Sequence, residues 1–190
     1  EASKYLDAAV SAHLAKRPDV ATELLRMADL PVIREWTESI WGSKSPYLNY
    51  RVVDNSPTTL PRGLRVEVRM PTSAEKFALH QRDGYHCRFC GIPVIRSDIR
   101  KMVASLYPEA VPWGRKNSEQ HAAFQAMWAQ YDHVLPHAKG GTNDLSNVVI
   151  TCAPCNFGRM EFTLEEVGLI DPRSRSPKTT QWDGLERLLK

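Results

Sequence analysis

All four cysteines of this 190-residue chain fall in two C-x2-C pairs, Cys87/Cys90 and Cys152/Cys155. Two residues between thiols suit one tight knuckle that offers two sulfurs to a single ion. Two knuckles complete a tetrahedral Zn(II) site. The pairs stand sixty-one residues apart, more than a compact zinc ribbon uses, so a fold built on this staple must carry an insertion. Two disulfides are the competing reading, and they need an oxidising compartment of which the sequence gives no sign. A redox C-x2-C would explain one pair but not its twin. Bound by four thiolates, zinc has no open position for chemistry, so its role would be structural.

The chain around the staple divides into three parts. Residues 1–72 read as a helical region with one strand. Tyr5, Leu6, Ala9, Val10, Ala12 and His13 make an amphipathic first helix that Pro18 breaks. Asp19 can cap a second helix, and Pro31 can open a third through Ile33, Trp36 and Ile40. Prolines and polar residues over 43–63 predict a loop, and the alternation of Leu64, Val66, Val68 and Met70 with charged residues predicts a half-buried strand. Residues 73–171 hold the staple. Ser73 can cap a helix over 74–82, and Ser97 another to about Leu106. Asn117 with Gln120 resembles a capping box ahead of Phe124 and Trp128. Short strands are expected at 130–135 and 147–151, flanking Gly140-Gly141, with a helix from Asn156 to Met160. Pro172 ends the ordered pattern and leaves 172–190 as a basic tail.

Composition bounds the rest. An apolar fraction of 42% and a charged fraction of 25% are those of a globular protein. No run of eighteen apolar residues offers a membrane span, and Glu1 to Leu6 lack a signal-peptide pattern, which favours the cytoplasm. The net charge of +3 sits largely in the tail, so charge alone does not point to a polyanionic partner.

One further pattern carries chemistry. Asp132-His133-Val134-Leu135-Pro136 is followed by Gly140-Gly141, by Asn147 fourteen residues after the histidine, and by Cys155-Asn156 nine further on. Together with Arg82-Asp83-Gly84-Tyr85-His86-Cys87, this resembles the HNH endonuclease motif over roughly residues 73–162, with 97–128 as an insertion. The resemblance implies a zinc-stapled ββα-metal core, and with the helical N-terminal region that leads into it the expected fold is α+β. The resemblance also implies phosphodiester hydrolysis, most simply of double-stranded DNA, leaving 3′-hydroxyl and 5′-phosphate ends. His133 is then the general base, a role that suits a neutral imidazole near pH 7. Asp132 and the side-chain oxygen of Asn156 are the implied ligands of Mg(II) or Mn(II), hard cations that prefer oxygen. Asn147 would orient His133 or brace the loop. Arg159, three residues after Asn156 on the same helix face, could contact a phosphate. One difficulty is geometric: neighbours on a regular strand point to opposite faces, so the Asp132-His133 pair must sit where the pleat ends.

Other residues have plainer readings. His86, beside a zinc cysteine, belongs to packing, whereas His137 is near the chemistry. Trp113, Phe124, Trp128 and Tyr131 have core spacing. Arg96, Arg100, Lys101, Arg115 and Lys116 in the insertion, with Lys139 in the loop, are candidate DNA-backbone contacts, or else a solvated face. The rival readings of the whole are a zinc-bound DNA-binding module without catalysis, and a nuclease of homing, repair or RNA. Restriction or anti-phage defence is the expected role, with residues 1–70 supplying target choice or a homodimer contact.

Overall fold

The computed structural model describes residues 1–41 and 45–190. The ends of the expected third helical stretch and of the loop over 43–63 that fall on residues 42–44 lie outside the described residues. Helix α1 (Ala2–Leu14) turns Leu6, Ala9 and Val10 inward. Helices α2 (Pro18–Ala28) and α3 (Pro31–Ile40) each start on their proline, where a missing N–H costs nothing and φ is already helical. Helix α4 (Ser73–Asp83) is capped by Thr72, not Ser73. Thr72 accepts from the Glu75 amide, and the Glu75 carboxylate takes the Thr72 N–H at 2.7 Å, closing a capping box. Helix α5 (Ser97–Leu106) has the expected limits without a Ser97 cap. The helix expected after Asn117 starts later. The Glu119 carboxylate, rather than Gln120, takes the Arg115 and Lys116 N–H groups, and α6 (Ala122–Ala126) begins behind His121.

Strands β1 (Ala129–His133) and β2 (Val148–Cys152) form an antiparallel pair, with Ala129 opposite Cys152 and His133 opposite Val148. Helix α7 (Ala153–Arg159) follows at once, with Pro154 in its first turn, and so starts three residues earlier than expected. One face of the hairpin carries Ala129, Tyr131, His133, Val148, Ile150 and Cys152 and packs toward Leu79 of α4. Asp132 lies on the other face, toward α7. Buried Asp83 locks α4 to the hairpin: it accepts the Ile150 N–H at 2.8 Å and both ends of the Arg82 fork at 2.8 Å. Arg82 also donates to the Val148 carbonyl at 2.8 Å.

Three expectations are corrected. Residues 64–70 form no strand: a 3-10 turn at Arg62–Leu64 gives way to irregular chain with Leu64 and Val68 exposed. Among the described residues no strand pairs with it, and two of its carbonyls go to side chains, Val66 to His137 at 2.8 Å and Val68 to Asn143 at 2.5 Å. The chain after Pro172 is not a loose tail. It runs back over the first cysteine knuckle, where Arg175 donates to the Arg88 and Phe89 carbonyls and Trp182 to Val94. Its Leu185 is fully buried in the helical core. Nor do the N-terminal helices stand apart, because Leu6 and Leu25 share that core with Ile99, Val103 and Phe124 of the insertion. The result is an α+β architecture with two apolar clusters, one helical and one under the hairpin. Among the described residues no helix is long and apolar enough to cross a membrane.

Candidate active site

The four cysteines meet where the first knuckle touches the end of β2 and the start of α7. Their sulfurs all lie within 4.8 Å of one another, with Cys90 and Cys152 at 3.6 Å, and none is in a disulfide. Zn–S bonds of about 2.3 Å put tetrahedral sulfurs about 3.8 Å apart, so the cluster has the size of one ion. The donor chemistry agrees. Burial and the neighbouring sulfurs push the Cys152 thiol well above the ordinary range, a strain that a divalent cation would relieve. The knuckle closes with the Gly91 amide on the Cys87 carbonyl at 2.9 Å and Gly91 at φ +77°. His86 stays out of the cluster, bonded through Nδ1 to the Gly84 carbonyl at 2.6 Å.

His133 is the last residue of β1, so the strand does end at the Asp-His pair. It is 6% exposed, and its Nε2 lies 2.8 Å from Asn143 Oδ1. Asn143 was not singled out in the sequence; a polar residue just past the glycine pair, on the same loop as the histidine, was the only clue to it. The imidazole is held below its ordinary pKa, first by burial and then by His137 and Arg69, against the opposing pull of Asn143 and Asp132. It is therefore neutral near pH 7, as a base must be. The His137 ring stands 5.7 Å from that of His133. Arg69 is a second residue that the sequence did not single out.

The loop between the strands is set by Asn147 and the glycine pair. Asn147 accepts the Leu135 N–H at 2.9 Å and donates to the carbonyls of Leu135 and Thr142 at 3.2 and 2.9 Å, so its contacts brace the loop and do not touch His133. A Cβ on Gly141 would sit 1.8 Å from the Leu135 carbonyl oxygen, and Gly140 has φ +93°. One glycine serves a close approach and the other a left-handed turn.

Asp132 turns toward α7 and His133 toward Asn143 in the inter-strand loop, yet at the strand end the two side chains remain close enough to feel each other's charge. Asp132 is 6% exposed and forms a two-point pair with Arg159, Oδ1 at 2.5 Å and Oδ2 at 3.1 Å. Arg159 is 0% exposed and also donates to the His133 and Phe162 carbonyls at 2.7 Å. This corrects the expectation for Arg159: a guanidinium sealed under the hairpin does not reach a substrate phosphate. Burial raises the Asp132 carboxyl despite Arg159 beside it. Asn156, one turn before Arg159 on α7, is half-buried, and its side chain makes no hydrogen bond among the described residues. Arg159→Ala is expected to cost about 3–5 kcal/mol of stability in urea denaturation, because it leaves a buried carboxylate unpaired. A loss of no more than about 1 kcal/mol, the worth of a surface ion pair, would contradict that reading.

The six expected backbone contacts separate by what already holds them. Arg100 is 7% exposed and lies flat on Trp113, 3.6 Å from the ring centroid, so packing between α5 and the indole uses its guanidinium face. Arg96 pairs with Asp98 and with Glu186 at 2.8 Å. Lys139 is bonded to Glu166 at 2.6 Å. Burial raises that carboxyl, but Lys139, the Thr163 amide and Ser56 outweigh it and bring it down to about 2. Lys101, Arg115 and Lys116 remain exposed.

Residues 122–167 match the family described as HNH endonuclease. The span runs from α6 through the hairpin and α7 to the turn that carries Glu166, and includes Asp132, His133, Asn147 and Asn156. Neither a curated protein nor a solved structure matches the chain.

Proposed function

We propose that this chain, whose residues 122–167 match the HNH endonuclease family, is a metal-dependent endonuclease that hydrolyses phosphodiester bonds in double-stranded DNA. The observation that carries the reading is His133, a buried neutral imidazole at the strand end with Nδ1 free of any hydrogen bond among the described residues. In the reaction Nδ1 takes a proton from water, and the water oxygen attacks phosphorus to become part of the 5′-phosphate. The P–O3′ bond breaks to a 3′-oxyanion that takes its proton from solvent water and leaves as a 3′-hydroxyl. Asp132 and the side-chain oxygen of Asn156 would hold Mg(II) or Mn(II). The pairing fits that role, since Arg159 occupies one lone pair on each Asp132 oxygen and Asn156 is unengaged. A divalent ion there would supply charge neutralisation at the phosphate and the leaving oxygen. Zinc in the four-cysteine cluster would fix the start of α7, and with it the placement of Asn156. Lys101, Arg115 and Lys116, exposed and in no ion pair among the described residues, are the cations of the insertion for backbone contact, and Arg69, whose charge acts on His133, is a fourth.

A second reading is favoured by one observation. Asp132 is buried and paired at both oxygens with the sealed Arg159, a structural use of the carboxylate that would suit a zinc-dependent DNA-binding module without catalysis. Incubation of the purified protein with plasmid and phage DNA, modified and unmodified, separates the two. Cutting is expected with Mg(II) or Mn(II) and none with EDTA. A preference between modified and unmodified DNA would support a restriction or defence role. Asn156→Ala should lose activity and regain part of it at higher Mn(II). Binding without cleavage under every metal condition would establish the module.

A further inference from the structure

We propose that Asn143 is a positioning residue that sets the tautomer of His133, and that it takes its own orientation from the Val68 carbonyl. Residues 60–68 are then a working part of the active site. This rests on the reading of His133 as the base. The argument is one of donors and acceptors. The Val68 oxygen only accepts, so the Asn143 atom 2.5 Å from it is the amide nitrogen. The other end of that amide, Oδ1, also only accepts, so the imidazole nitrogen 2.8 Å away carries the proton. That nitrogen is Nε2, and the lone pair is left on Nδ1. Nδ1 is neither bonded nor among the sealed polar atoms of the described residues. An amide turned the other way would face its NH2 to Nε2 and drive the proton to Nδ1, where no base would remain.

The segment that makes this choice is held to the same loop at further points. The Leu60 amide donates to the Ala138 carbonyl at 2.7 Å, and His137 Nε2 donates to the Val66 carbonyl at 2.8 Å. Ser56 donates to Glu166 at 2.7 Å, the carboxylate that also holds Lys139. The period-2 run that finds no strand to pair with thus has a use for two of its carbonyls. Ser56, Leu60, Val66 and Val68 lie outside the span that matches the endonuclease family, while their partners Ala138, His137, Asn143 and Glu166 lie inside it, so the matched span alone is an incomplete site.

The test is nitrogen NMR on full-length protein with labelled histidine, read beside single-turnover cleavage. In the wild type, His133 is expected as the Nε2–H tautomer. Asn143→Ala should give a mixture of tautomers and lower turnover about a hundredfold through misorientation, with KM and the melting midpoint near wild type. Asn143→Asp, which can still accept from Nε2, should keep the tautomer and retain more turnover than Asn143→Ala. An Nδ1–H tautomer in the wild type would overturn the proposal. So would an Asn143→Ala protein that keeps both tautomer and turnover. If Asn143→Ala fails to fold, the wild-type spectrum and Asn143→Asp decide. A wild type that cuts nothing but shows Nε2–H refutes the nuclease reading and leaves the Asn143 contact standing.

Discussion

Exchange of Cys152 for serine is expected to unfold the hairpin end of the molecule, and stripping zinc from the wild type should do the same. Cys152 is fully buried at the last rung of β2, opposite Ala129 and beside Leu79, Val94 and Ile150. A two-stranded hairpin is marginal in water on its own. The apolar cluster beneath it is small, and several of its members are the cysteines themselves. A structural zinc contributes on the order of 10 kcal/mol to such a unit, far more than this cluster can replace. Serine removes one ligand and leaves a hydroxyl in a site made for sulfur. Among the described residues the helical cluster of α1, α2, α5 and α6 shares no buried residue with the hairpin cluster, and half-buried Ile92 packs against both. Zinc loss should therefore split thermal unfolding into two steps, hairpin first, with much helical signal kept after the first. The measurement is elemental analysis, about one zinc per chain, with circular dichroism melts before and after a strong chelator. A purified chain without zinc that melts in one step at an unchanged temperature would end the staple argument.

What could be read in advance follows from where the information lies. The cysteine pairs, the Asp-His pair, the glycines and Asn156 are fixed by short spacings, and local backbone geometry alone makes those spacings meaningful. Pro31 marks a helix start for a reason internal to the proline ring, whereas Pro18, read as a break with Asp19 as the cap beyond it, is itself the first residue of α2. The misreadings concern partners far away in the chain. Nothing near Val68 says that its carbonyl meets Asn143, and without that partner an alternating run reads as a strand. Arg159 and Arg100 look like surface cations, because only the folded chain supplies Asp132 for one and Trp113 for the other. Leu185 sits in a basic stretch, yet the helical core closes on it. The capping residues missed by one or a few positions, Thr72 for Ser73 and Glu119 for Gln120, show that several polar neighbours can serve and that the tertiary path chooses among them.

His133→Ala should reduce cleavage by about two to four orders of magnitude, the usual worth of a general base, and leave the fold in place. Structure should survive because, among the described residues, the side chain makes one polar contact, to Asn143, and belongs to neither apolar cluster. Asp132→Ala is a poorer probe, since it strands the sealed Arg159 cation and mixes stability with chemistry. The pH dependence adds a check with a definite sign. A base works only when unprotonated, and burial holds His133 below its ordinary value. Activity should therefore be complete above the ordinary histidine range of about 6.5 and should fall only at lower pH, as the depressed pKa is crossed. Single-turnover rates from about pH 5 to about pH 8 would trace that limb in the wild type and lose it in His133→Ala. A variant that cuts at nearly the wild-type rate with the same acid limb would move the role to His137. That ring is 5.7 Å away, its Nε2 is committed to the Val66 carbonyl, and its Nδ1 is the remaining candidate base.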